Sequence, residues 1–89
     1  MLDIARSSAF KKETKKIKDE SVFAELETVV ALLIENMPLP EKYKLHPLIG
    51  SYKDYMECHL KPDILLIFRT TKTELYLYRI GSHSNLFKK

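Results

Sequence analysis

Three histidines, His46, His59 and His83, lie in the second half of the chain with Asp63 and Arg79, at positions that read as loop, strand or turn rather than helix interior. Histidine ordinarily titrates near about 6.5, so one imidazole can be neutral while another is protonated close to neutral pH. Two imidazoles and a guanidinium are what RNA cleavage without a metal requires. A base takes the 2′-hydroxyl proton, an acid protonates the leaving 5′-oxygen, and a cation meets the charge that builds on the phosphate. Taken singly, each histidine is an ordinary polar residue; the constellation makes them candidates. His46 precedes Pro47, which holds its backbone extended. Asp63 follows His59 by four residues in a Pro-Asp turn, within reach of an imidazole. His83 follows Gly81, between Ser82 and Ser84, either of which can cap a last helical turn through Asn85, Leu86 and Phe87.

Other chemistries lack their residues. No Cys-x-x-Cys, His-x-x-x-His or His-Glu-x-x-His spacing is present, so no metal and no cofactor is expected. Cys58 and His59 are neighbours in a strand and point to opposite faces, which excludes a shared ion and a Cys-His nucleophile alike. Two glycines, Gly50 and Gly81, cannot build a phosphate-cradling loop. No carboxylate pair suggests a glycosidase.

The elements that position these residues are legible from periodicity. Eighty-nine residues suit one domain, residues 1–89, and a lone cysteine suits a reducing compartment. The longest apolar run, Val29 to Ile34, is far short of the ~20 residues of a membrane helix, so the cytoplasm is the expected location. The net charge of +3 is uneven: residues 21–40 carry only acids, while both flanking segments are net basic. A surface that meets polyanions therefore excludes the second segment. Leu2 to Ala5 reads as a strand. A first helix is expected from about residue 8 to 19, capped by Ser7 or Ser8, with Ala9, Phe10 and Ile17 on its apolar side. A second helix is expected from a Ser21 cap to Pro38, its stripe formed by Phe23, Leu26, Val30, Leu33 and Met37 and widened by Val22, Val29 and Ile34. Pro38 to Tyr52 reads as a long ordered loop with one helical turn. Tyr55 to Leu60 alternates, with Tyr55, Glu57 and His59 on one face and Met56, Cys58 and Leu60 toward the core. Ile64 to Phe68 is apolar on both faces, as in a central strand, and Leu75 to Ile80 returns after a turn at Thr70 to Thr73. The expected fold is α+β: helices on one face of a three-stranded meander, with the N-terminal stretch as a fourth strand and the other sheet face open.

Three motifs in order carry a family resemblance. Leu39-Pro40-x-x-Tyr43-x-x-His46-Pro47-Leu48-x-Gly50 comes first, followed by Glu57-Cys58-His59-Leu60-x-Pro62-Asp63-x-Leu65-Leu66. The third is Arg79-Ile80-Gly81-Ser82-His83-Ser84-x-Leu86-Phe87. With Phe10-Lys11-Lys12 in a lysine-rich first helix, the chain resembles the YafQ branch of the RelE/ParE-type bacterial toxins over essentially its whole length. The resemblance implies two N-terminal helices packed on a small twisted antiparallel sheet. It also implies a toxin that enters the ribosomal A site and cuts mRNA there, held in check by a cognate antitoxin and meeting DNA only through that antitoxin. The family's active-site positions fall on His46, His59, Asp63, Arg79, His83 and Phe87. Two departures stand out: Ile64 occupies a position where one member has tryptophan, and Met56 one where related sequences commonly have arginine. The roles expected are His83 as acid, His46 as base, Arg79 at the phosphate, His59 and Asp63 as orienting groups, and Phe87 as a stacking surface. The rival expectation is a non-catalytic module of the same fold that binds an antitoxin and serves as co-repressor.

Overall fold

Pro62-Asp63 and Thr71-Lys72-Thr73 interrupt two apolar runs, and each interruption becomes a hairpin turn in the computed structural model, which describes residues 1–48 and 54–87. The expectations placed on Gly50 and Tyr52 lie outside those residues. Strands β3 (Met56–Lys61), β4 (Ile64–Thr70) and β5 (Glu74–Gly81) pair antiparallel in succession. Strand β2, the pair His46–Pro47, joins β3 antiparallel, and β1 (Asp3–Arg6) joins β5, giving the order β1-β5-β4-β3-β2. β1 runs parallel to β5, with Asp3 opposite Glu74 and Arg6 opposite Leu77. The sheet is therefore mixed, not purely antiparallel as expected. A parallel pair needs a long crossover, and the two helices after β1 begin one.

Helix α1 (Ser8–Lys16) starts at Ser7, whose Oγ accepts the Phe10 N–H at 2.9 Å and donates to the Tyr78 carbonyl. It ends three residues before the expected boundary, because Ile17 turns extended and its N–H bonds the Thr14 carbonyl. Helix α2 (Glu20–Ile34) is capped by Asp19 rather than Ser21; Asp19 Oδ1 accepts both the N–H and the hydroxyl of Ser21. Those two bonds hold the Asp19 carboxyl below its usual range. The buried stripe of α2 is Val22, Val29 and Leu33, flanked by Leu26, Val30 and Ile34. It is rotated from the expected one, leaving Phe23 37% and Met37 53% exposed.

Val22, Val29 and Leu33 meet Phe10 of α1 and Cys58, Leu60, Leu66, Phe68, Leu75, Leu77 and Ile80 of the sheet in the main core. Met56 packs beside it, as its strand parity requires. The opposite face is not open, as expected, but covered. Leu65 and Ile67 are buried there under Leu86 of helix α3 (His83–Leu86), with Leu48, Tyr55, Tyr78 and Phe87 around them. A strand apolar on both faces needs a cover on each. Between β4 and β5 the register shifts, Arg79 facing Ile67 but Leu77 facing Phe68, so Tyr78 is an extra residue and β5 bulges. The bulge lets Leu77 and Ile80, three residues apart, enter the same core. Among the described residues, no helix is long and apolar enough to cross a membrane.

Candidate active site

Pairing of β2 with β3 puts His46 opposite Glu57, and strand alternation puts His59 on the same face two residues on. Glu57 is nearly buried, its side chain 8% exposed, and its Oε2 lies 2.9 Å from Nε2 of His46 and 3.7 Å from Nε2 of His59. The two rings stand 6.2 Å apart, centroid to centroid. On its other side His46 Nδ1 donates to the Lys44 carbonyl at 2.7 Å. Lys44 closes the 3-10 turn Glu41–Tyr43 in left-handed backbone, φ 49°. Both ring nitrogens of His46 therefore face oxygens, and the Lys44 carbonyl fixes the orientation of the ring. The turn is anchored to α2 by Tyr43, whose hydroxyl donates to Glu25 Oε1 at 2.6 Å. Burial, with that bond, pushes the Tyr43 phenol up to about 12. Cys58, facing the core, has its thiol pushed up to about 12 by burial and by the Glu57 charge. A thiol so held is inert as a nucleophile, as the parity argument requires.

The other expected site residues occupy two further places. His83 opens α3 and its ring lies 4.9 Å from that of Phe87; Phe87 also packs on the Leu65–Ile67–Leu86 cluster, which Leu48, two residues past His46, contacts as well. The His46 and His83 segments thus border one apolar patch. Arg79 reaches toward the α1 side, where Glu13 Oε2 accepts from its Nε at 2.8 Å and its Nη2 at 2.5 Å. Glu13 Oε1 accepts the backbone N–H of Ile80 at 3.0 Å. Asp63 lines a groove of about 570 Å³ together with this pair, with Lys16, Lys18 and Lys61 also on its walls. The carboxylate that meets His59 is Glu57, not Asp63. A second groove, about 390 Å³, is lined by His59, Lys42, Lys44 and Lys61, so Lys61 and the β3–β4 turn separate the two. Ile64 packs against the main core.

Two residues escaped the sequence reading as functional candidates. Glu57 shares parity with His59, and that signal was sufficient to place it beside the imidazole. Glu13 sits three residues past Phe10 and four before Ile17, on the apolar side of a lysine-rich helix, where an acid is out of place unless paired. Among the described residues no three His, Cys, Asp or Glu side chains form a group that could hold a metal.

Comparison with known proteins agrees along the whole chain. A family model described as bacterial toxin of type II toxin-antitoxin system, YafQ, matches residues 2–88. The mRNA interferase toxin YafQ of Escherichia coli (strain K12) is 40% identical over 87 residues, which span 96% of this chain and 95% of that protein. YafQ in the crystal structure of the E. coli DinJ-YafQ complex superposes with a TM-score of 0.82 at 39% identity, covering 98% of this chain and 99% of that one. A metal-bound toxin from Helicobacter pylori superposes with a TM-score of 0.84 at 45% identity, covering 98% and 100%.

Proposed function

The chain belongs to the YafQ family of bacterial toxins of type II toxin-antitoxin systems, and from that premise we propose that it is an mRNA interferase, an endoribonuclease that cuts mRNA on the ribosome by histidine acid-base chemistry. The observation that carries the chemistry is the convergence of His46 and His59 on one nearly buried carboxylate, Glu57. Burying a carboxylate costs several kcal/mol unless it is paired, and a nearly buried acid gathered with two imidazoles is a titratable cluster of the kind that functional sites use.

In the proposed reaction His46 takes the 2′-hydroxyl proton, and Glu57 stabilises the imidazolium that results. The freed 2′-oxygen attacks the adjacent phosphorus, and His83 protonates the departing 5′-oxygen. Arg79 meets the charge on the phosphate, His59 and Asp63 orient the substrate, and Phe87 offers a ring face to a base. No step of this reaction is routed through a metal. The DinJ-YafQ complex supports an antitoxin as the resident partner, and the ribosomal A site with its mRNA is the proposed target. We place this activity in the cytoplasm and in a single domain spanning residues 1–89.

The decisive experiment maps mRNA 5′-ends after mixing the purified chain with programmed ribosomes, with free mRNA as the control. Cleavage only on the ribosome, lost in His83→Gln and His46→Ala, is the expected result. Full cleavage by both folded variants would overturn the histidine assignment, and no cleavage by the parent chain would favour a non-catalytic, antitoxin-binding module.

A further inference from the structure

Glu13 is the one acid of α1, in a helix with four lysines, and it is turned inward, its side chain 19% exposed. Its carboxylate accepts three N–H bonds from β5: two from the Arg79 guanidinium and one from the Ile80 backbone. The guanidinium is thereby fixed in orientation at the wall of the groove that Asp63, Gly81 and Ser82 also line, one residue from His83. A bare α1–β5 staple would not need this geometry. The apolar contacts of Phe10 and the Ser7 bond to Tyr78 already join the two elements. A planar guanidinium is useful at a phosphate only when its plane and donors are aimed, since a misplacement of about 1 Å can cost a hundredfold in rate.

We propose that Glu13 is the positioning residue for Arg79, holding its guanidinium by two N–H bonds and tying it to the β5 backbone so that it meets the scissile phosphodiester in a fixed pose. This rests on the role given to Arg79 above. Glu13 itself touches no substrate, and its negative charge opposes RNA binding. Removing it should cost turnover and not affinity, a split that a merely structural staple would not produce.

The test is single-turnover cleavage of ribosome-bound mRNA against toxin concentration, for the full chain and for Glu13→Gln, Arg79→Ala and the double variant, with thermal midpoints measured alongside. Glutamine still accepts from Ile80 N–H but cannot pair with the guanidinium as an ion. The expected result is a saturating rate about tenfold lower in Glu13→Gln, with the half-saturating toxin concentration unchanged or lower. In the Arg79→Ala background the same substitution should cost nothing further. If Glu13→Gln folds poorly, Glu13→Asp serves in the same comparison, since its shorter stem keeps the charge and loses the reach. A full saturating rate in the folded variant, or an equal fractional loss in both backgrounds, overturns the proposal. An Arg79→Ala variant that cleaves at the full rate would instead remove the role of Arg79 beneath it.

Discussion

Replacing a single acid or base group typically costs about 10²–10⁴ in rate, so His83→Gln should abolish growth arrest while its thermal midpoint stays near that of the parent. His83 is exposed and its ring packs on Phe87 at the edge of the smaller cluster, so little folding energy is at stake. Met56→Arg, which adds a cation on β3, has the opposite balance. Met56 packs beside the main core, and an arginine there should destabilise by about 1–3 kcal/mol, read as a lower melting temperature, whether or not activity survives. At this scale the sequence was legible wherever a side chain's position follows from strand parity. Parity alone faced Cys58 inward and His59 outward. It could not reveal that Glu57 also meets His46, because that depends on β2 pairing with β3, and a two-residue strand carries no periodicity. Nor could it reveal Arg79 turning to Glu13, because a bulge cancels alternation at that point.

At the next scale, the elements end where capping groups place them, not where apolar periodicity fades. Asp19 and Ile17 shortened the first helix and moved the start of the second; both signals were in the sequence but compete with a Ser21 that is an equally good cap on paper. Ser7 serves two elements at once, capping α1 and bonding the β5 backbone at Tyr78. Ser7→Ala should therefore cost about 1–2 kcal/mol, at the upper end of cap deletions, measurable by urea unfolding. A loss no larger than a few tenths would mean that the Tyr78 bond contributes nothing. Gly81 joins β5 to α3 at φ +157°, and a Cβ there would stand 3.4 Å from Leu86 Cδ2. Gly81→Ala should cost about 1 kcal/mol and disturb the seat of α3 on Leu65 and Ile67.

The molecule as a whole should fail in alkali. Tyr43 and Cys58, ordinarily near 10.0 and 9.0, are both pushed up to about 12 by burial. Each binds its proton more tightly folded than unfolded, so the stability it contributes is complete below pH 9 and is lost as pH rises from about 9 to 12. The thermal midpoint should fall across that window, less steeply in Cys58→Ala, and a midpoint flat to pH 11 would refute the assignment. The α+β class and the three-strand meander were readable because central strands are apolar and turns are polar. The parallel partner of β1 was not, since nothing local says which edge a first strand will find. That pairing joins Asp3 to Glu74 and Arg6 to Leu77, and the contacts of Ser7 with Tyr78 and of Glu13 with Arg79 run the same way. In time these partners are far apart: the residues translated first must wait for residues 74–80 to emerge before the sheet can close. A nascent chain stalled before Glu74 would leave Asp3–Arg6 open to protease, and a protein whose proposed target is the translating ribosome would stay unfinished for as long as its own ribosome is at work on it.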